Sequence, residues 1–174
     1  MRLQRENDTL HFRLNMLEGR LLAHVFERLA ERYKLKPGDV DPKTASVWYS
    51  TRGCLSAKLS DQETRDWIDQ IHALKSTSLE RLEAWAKQLE SSASSLHVQV
   101  RDASIFITAV NDHRLAAASV HDIGQAEMDI QSPLQLVSLP PNQQEALLEI
   151  HLLAWIMEET LRTLQDWHAP EAPA

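Results

Sequence analysis

Apolar residues recur at helical spacing through most of the chain, and this periodicity restricts the fold more than any other feature. The clearest stripe begins after Asn15, with Glu18 three residues later as in a capping box, and it stops near Lys36-Pro37-Gly38. Its members are Leu17, Leu21, Leu22, Val25, Phe26 and Leu29. The same start signal recurs as Ser60 with Glu63, Thr77 with Glu80, and Asn142 with Glu145. These patterns predict a mostly α fold, a helical bundle of about five helices.

Two short segments alternate apolar and polar residues instead, which is typical of half-buried strands. One is Leu10 to Leu14 and the other is Leu96 to Arg101. A lone two-stranded ribbon is marginal in water, so it needs helices packed on one face. We therefore predict that segments 9–14 and 96–101 pair as a small two-stranded β ribbon. The region 39–59 predicts a loop with one or two helical turns that start at Asp41-Pro42.

The size of the chain suits one domain. Its 174 residues are enough to bury a hydrophobic core without disulfides or metal. Hydrophobic residues form 43% and charged residues 25% of the sequence, as in an average globular protein, so wholesale disorder is excluded. We expect a single helical domain over residues 1–168 and a disordered Pro/Ala-rich tail over 169–174.

Charge and composition exclude several classes of function. The net charge of −7 opposes the positive field that binding to nucleic acid requires. Apolar runs are too short for a membrane span. The single cysteine, Cys54, has no internal disulfide partner, and the amino terminus lacks an apolar leader segment. We therefore expect a cytoplasmic protein that binds neither nucleic acid nor membrane, with Cys54 as an ordinary small side chain.

Four consecutive polar residues, Asn111, Asp112, His113 and Arg114, interrupt a helix that is otherwise apolar. At about 100° per residue, Asn111 and Asp112 extend a polar stripe, whereas His113 and Arg114 fall within the apolar arc. The other members of the stripe are Ser104, Thr108 and Ser119. Asp112 and Arg114 are two residues apart and point away from each other, so each needs a partner on another element.

Glu149 lies on the apolar face of the last predicted helix, between Ala146 and Leu153. We therefore predict that Glu149 pairs with Arg114 or His113 across packed helices, since an unpaired buried charge is very costly. The five residues Asn111 to Arg114 and Glu149 form a candidate polar cluster. Buried polar groups are usually satisfied by internal hydrogen bonds, so a structural role that fixes helix register is the first interpretation, and a ligand site is the second.

Sequence motifs for other chemistry are missing. Glu149 and His151 are metal-ligand types, but residues two apart on a helix diverge, and no His-Glu-x-x-His pattern occurs. The four glycines are isolated, so no phosphate loop is indicated, and no nucleophile elbow is present. We expect no metal, no cofactor and no dedicated catalytic residue.

A second apolar strip on the last helix contains Leu148, Leu152 and Trp155, away from the main core face. Aromatic and large apolar side chains in such a position favour either an internal neighbour or a subunit contact. These three residues are the candidate interface.

Four features occur together in this sequence: the segment Asn111-Asp112-x-Arg114-Leu115, the Leu-rich first helix, the strand that leads up to Arg101, and Trp155. In this combination the chain resembles an uncharacterised bacterial family known as domain of unknown function two-zero-one-seven. The resemblance covers most of the chain except residues 39–95. It implies no activity. In some genomes such proteins are encoded near an adaptor of the Clp protease, which implies a link to protein turnover.

From these features we expect a protein-binding or regulatory module, an adaptor that binds a protein partner or associates with itself as a homodimer. The alternative is a small enzyme or ligand-binding protein that uses the polar cluster, with His113 as general base and Arg114 holding an anionic group. The two are distinguishable, because a functional cluster opens onto a pocket and a structural cluster is closed.

Overall fold

A computed structural model describes residues 1–51, 59–130 and 132–166. Cys54 and Trp167 lie outside the described residues, as does the predicted tail. The fold is mostly α, as predicted, with a small antiparallel sheet. In chain order the elements are β1 (Arg2–Glu6), β2 (Thr9–Arg13), α1 (Met16–Tyr33), α2 (Pro42–Trp48), α3 (Asp61–Thr77), α4 (Leu79–Ser91), β3 (Ser95–Gln99), α5 (Ala103–Val120), α6 (Gln125–Met128), α7 (Pro133–Leu136) and α8 (Pro141–Asp166).

The predicted pairing of the two segments is present, but the second strand ends at Gln99 because Val100–Asp102 form a 3-10 turn, and a third strand extends the ribbon. β2 pairs antiparallel with β3, from Thr9 opposite Gln99 to Arg13 opposite Ser95. β1 adds to the other edge of β2 as a third strand that was not predicted from the sequence. The reason is that β1 is an edge strand with no fully buried residue, so it carries no apolar alternation. The hairpin turn between β1 and β2 has Asn7 at φ 52°, a conformation that asparagine tolerates well.

α1 begins as predicted, and one glycine explains how closely it packs. Asn15 and Glu18 form a complete capping box. On the first turn, a Cβ at Gly19 would lie 1.7 Å from the carbonyl oxygen of Ala93. Only glycine therefore lets α1 approach the turn between α4 and β3 at this distance. The capping box at Ser60 and Glu63 is also present, at the start of α3.

Two other predicted helix starts are wrong by one or more residues. The boundary between α3 and α4 is Ser78, so Thr77 is the last residue of α3 and caps nothing. α8 begins at Pro141, and Asn142 is already inside its first turn, since proline suits the first helical position. α2 is the short helix that was predicted within region 39–59.

The core lies between the sheet and the longer helices. α1 packs on α4, and α5 packs on both α8 and α2. A cluster of four aromatic rings joins the layers, namely Phe12 of β2, Phe26 of α1, Trp85 of α4 and Phe106 of α5. Each fully buried phenylalanine contributes about 1.5–3 kcal/mol relative to an exposed one. A smaller cluster of Ala117, Ile123, Ala146, Leu147 and Ile150 lies beneath α6 and α7.

Within the described ranges, the helices are all too short or too polar to cross a membrane.

Candidate functional site

The consecutive polar residues Asp112 and His113 of α5 face different surroundings. Asp112 faces α1, α2 and α3, where it contacts Tyr33, Trp48 and Lys75. His113 faces α8 and contacts Glu149. Consecutive side chains on a helix diverge by about 100°, so this separation follows directly from helix geometry. The predicted cluster is therefore two sites that share one helix.

Asp112 is the centre of a buried polar network. Tyr33 Oη donates a hydrogen bond to Asp112 Oδ2 over 2.5 Å, and Lys75 Nζ forms a salt bridge with the same oxygen. Trp48 Nε1 donates to the backbone carbonyl oxygen of Asp112 over 2.9 Å. All four side chains are nearly excluded from solvent, with Asp112 8% and Lys75 7% exposed. Each charge is thus paired inside the protein, which buried charges require.

The ammonium group of Lys75 lies against two aromatic rings. Its nitrogen is 4.7 Å from the centre of the Trp48 ring and 5.1 Å from that of Tyr33. Burial lowers the pKa of Lys75, and the charge of Asp112 opposes that change. Burial also raises the pKa of Tyr33, with a further contribution from the neighbouring Asp112 carboxylate. The ring faces and the carboxylate together replace the water that this ammonium group has lost.

Lys75 anchors a helix that has little else inside the core. Along α3, every residue of which is described, Lys75 is the only buried residue. Ile68 and Ile71 lie on the same face and are half-buried, while Leu74 is 64% exposed. The position of α3 therefore depends strongly on the bond between Lys75 and Asp112.

A cavity of about 360 Å³, which we name the Asp112 pocket, opens between α3 and α5. Lys75, Asp112, Tyr33 and Trp48 form its polar and aromatic wall. The remaining lining residues are Ile71, Leu74, Thr77, Ser78, Ser104, Ile105, Thr108 and Ala109. Ser104 and Thr108 belong to the polar stripe found in the sequence, and both are exposed. This part of the stripe thus leads from the surface into the pocket as far as Asp112.

On the other side of α5, His113 and Glu149 form the bond that the sequence predicted. His113 Nε2 lies 2.6 Å from Glu149 Oε1, and His113 is only 2% exposed. Burial alone would raise the pKa of Glu149, but the hydrogen bond and charge of His113, with Arg28 and His24 nearby, lower it. His113 does not line the Asp112 pocket. It therefore has no position there from which to act as a general base.

Arg114 does not have the buried partner that was expected. Its side chain is half-buried, and its Nε has no hydrogen-bond partner among the described residues. Burial lowers its pKa, and the carboxylate of exposed Glu158 opposes this change. Arg114 therefore avoids full burial because its guanidinium reaches solvent, as long basic side chains often do. Asn111 is half-buried and makes no side-chain hydrogen bond within the described residues.

The candidate interface residues lie on the outer face of α8. Leu148 is 58% and Trp155 37% exposed, whereas Leu152 is partly buried against the main core. Residues seven and four positions apart share one side of a helix, so the three form a continuous strip. Leu152 is its inner edge.

Lys75, Tyr33 and Trp48 were not identified from sequence as site residues. Lys75 had a usable signal, because it is four residues after Ile71 and therefore places a cation on the apolar face of α3. Tyr33 and Trp48 look like ordinary core residues, and only the tertiary fold brings their polar atoms to Asp112. No group of three metal-ligand side chains is assembled among residues 1–51, 59–130 and 132–166.

Comparison with protein-family models, with curated proteins and with solved structures found no match to this chain.

Proposed function

We propose that this protein is a binding module that takes a small amphipathic ligand into the Asp112 pocket. One observation supports this proposal above the others: the pocket has a largely apolar lining surface, and the paired groups of Lys75 and Asp112 form part of its wall. Sites for small molecules commonly have this composition, and a volume of about 360 Å³ falls within their usual range. A purely structural network would be closed instead.

The polar end of the pocket favours an uncharged ligand group. Lys75 and Asp112 neutralise each other, so the wall offers an N–H donor and a carboxylate acceptor without a net charge. A hydroxyl or amide can both donate and accept there, whereas a free carboxylate would meet Asp112 and an amine would meet Lys75. The hydroxyls of Ser104 and Thr108 offer further bonds near the mouth.

The proposal can be tested with a series of straight-chain alcohols as neutral amphiphilic probes. We expect the indole N–H resonance of Trp48 to shift saturably in ¹H–¹⁵N NMR spectra as the alcohol is titrated. Thr108→Phe should fill the pocket and weaken the response. Leu115→Phe is the matched control, because it adds an aromatic ring to an exposed position of the same helix outside the pocket lining. Equal responses in both variants, or no saturable shift, would contradict the proposal.

A second candidate function is binding of a protein partner, including a second copy of this chain, through Leu148, Leu152 and Trp155. The observation that favours it is the exposure of Leu148 and Trp155 on one strip, since such residues are enriched at interfaces. Light scattering after size exclusion should then show a concentration-dependent mass that Trp155→Lys reduces. A monomer at all concentrations would leave only a different protein as partner.

A further inference from the structure

Four cationic or potentially cationic residues form a row along α1, separated by four positions each. They are Arg20, His24, Arg28 and Arg32. Like charges at this spacing destabilise a helix unless carboxylates lie between them. Among the described residues, none of the four has a carboxylate oxygen within 4.0 Å. This arrangement is unexpected in a chain whose net charge is −7.

The carboxyl-terminal half of this row lines a small cleft. Arg28 and Arg32 of α1 meet His113 and His121, on the α5 side, and Glu149 of α8. The cleft has a volume of about 20 Å³, which is room for a water-sized group. Both arginines are half-buried, so movement of their side chains can widen the opening.

Positive charge in the cleft is only partly compensated. Burial lowers the pKa of Arg32, and the neighbouring Arg28 lowers it further, while Asp41 and Glu149 oppose these effects. Asp41 accepts a hydrogen bond from the backbone N–H of Thr44 over 2.9 Å at the start of α2. Glu149 is hydrogen-bonded to His113. Each carboxylate has one oxygen engaged in these bonds, and among the described residues the guanidinium groups of Arg28 and Arg32 make no hydrogen bond or salt bridge.

We infer that Arg28 and Arg32, assisted by His121, bind an oxyanion at the mouth of this cleft. A guanidinium group offers paired N–H donors that match the oxygens of a phosphate or carboxylate group. Two such groups one helical turn apart can hold one oxyanion between them. The site lies on a different face of α5 from the Asp112 pocket and is independent of the function proposed for it.

The decisive experiment titrates inorganic phosphate by calorimetry and follows the arginine Nε–H resonances by NMR, with chloride used to hold ionic strength constant. We expect saturable binding at millimolar concentrations. Arg28→Gln with Arg32→Gln should weaken it on the order of tenfold or more, since charged hydrogen bonds are lost. Arg20→Gln with Arg65→Gln is the matched control, because it removes the same charge outside the cleft and should bind phosphate normally.

Additional measurements identify the class of oxyanion and test whether each variant is folded. Acetate in place of phosphate shows whether a carboxylate is preferred; binding of either anion that depends on Arg28 and Arg32 supports the site. Arg28→Lys with Arg32→Lys keeps the charge but removes the paired donors, so it should bind with intermediate strength. Circular dichroism checks that each variant is folded. Absence of binding to both anions, or equal binding by the Gln double variant, would overturn the inference.

Discussion

Asp112 and His113 are neighbours in sequence, yet their side chains are stabilised in different ways. Asp112 is paired with a lysine from α3 and a tyrosine from α1, all nearly excluded from solvent, beside an open pocket. His113 is also buried, but the side chain of its partner Glu149 is 20% exposed. The comparison shows that one helix can present a costly buried charge pair and a partly solvated pair at adjacent positions. We therefore expect the free energy of unfolding to decrease by different amounts when the partner of Asp112 or of His113 is removed.

The largest effect is expected from Asp112→Ala. This variant leaves the Lys75 ammonium group buried without its carboxylate and removes the acceptor for Tyr33. Loss of one partner of a buried pair typically costs about 3–5 kcal/mol. Urea denaturation should show this decrease in the free energy of unfolding, and hydrogen exchange should show faster opening of α3, which has no other buried residue.

The control for this prediction removes both partners. Asp112→Leu combined with Lys75→Met replaces the pair by apolar side chains and should recover most of the lost stability, because no unpaired charge remains. If Asp112→Ala lost less than about 1 kcal/mol, Lys75 would have to be solvated when unpaired, and α3 would not depend on this bond.

A smaller loss is expected on the other side of α5, from His113→Leu. Glu149 loses its hydrogen-bond partner but can gain water, so we expect a decrease of about 1–2 kcal/mol in the free energy of unfolding. His151→Leu is the control, since His151 is exposed on α8 and should change stability by less than about 0.5 kcal/mol. A loss as large as that of Asp112→Ala would show that Glu149 is not solvated and that the two sides are equivalent.

The fold was more predictable than the Asp112 site, for physical reasons. Helical periodicity and capping are local properties, so α1, α3 and the ribbon of β2 with β3 were recognisable from sequence. The bond between His113 and Glu149 was also predictable, because both polar residues fell on apolar faces. The network around Asp112 was not, because Tyr33 and Lys75 are 79 and 37 residues away from it and meet it only through tertiary packing.

High pH should weaken the Asp112 side in a way that depends on Tyr33. The pKa of Tyr33 is raised above its ordinary value of 10.0 by burial and by Asp112. Because the pKa of Tyr33 is raised in the folded protein, the neutral phenol makes its full contribution to stability below pH 10.0, the ordinary pKa. This contribution is lost as the pH rises above 10.0. Lys75 has the opposite effect near its ordinary value of 10.5, because its pKa is lowered. Comparison of wild type with Tyr33→Phe isolates the tyrosine: the stability difference should decrease above pH 10, and a constant difference would contradict this.

Low pH should weaken the His113 side instead. The pKa of Glu149 is lowered below its ordinary value of 4.5, so its stabilising contribution is present above pH 4.5 and is lost as pH falls through the lowered value. The groups that lower its pKa are His113, Arg28 and His24, and Arg32 lines the same cleft. Urea denaturation of wild type and Glu149→Gln should therefore give a difference that is largest near neutral pH and disappears in acid. A difference that persists when Glu149 is protonated would mean that packing, rather than charge, is responsible.

The smallest effect is expected for Arg114→Leu, which tests the one polar residue of this segment that belongs to neither side. From sequence alone, a structural cluster containing Arg114 would lose several degrees of melting temperature on this substitution. The structure changes that expectation, because Arg114 is half-buried, its Nε has no hydrogen-bond partner among the described residues, and the nearby Glu158 is exposed. Only the Nε atom of this guanidinium is buried without a hydrogen bond, so its replacement should leave the free energy of unfolding within about 0.5 kcal/mol of wild type, or raise it. Thermal denaturation of Arg114→Leu and Arg114→Lys measures this effect. A loss of stability in Arg114→Leu as large as that of His113→Leu, absent in Arg114→Lys, would contradict the prediction. It would show that the charge of Arg114 stabilises the packing of α5 on α8 through Glu158.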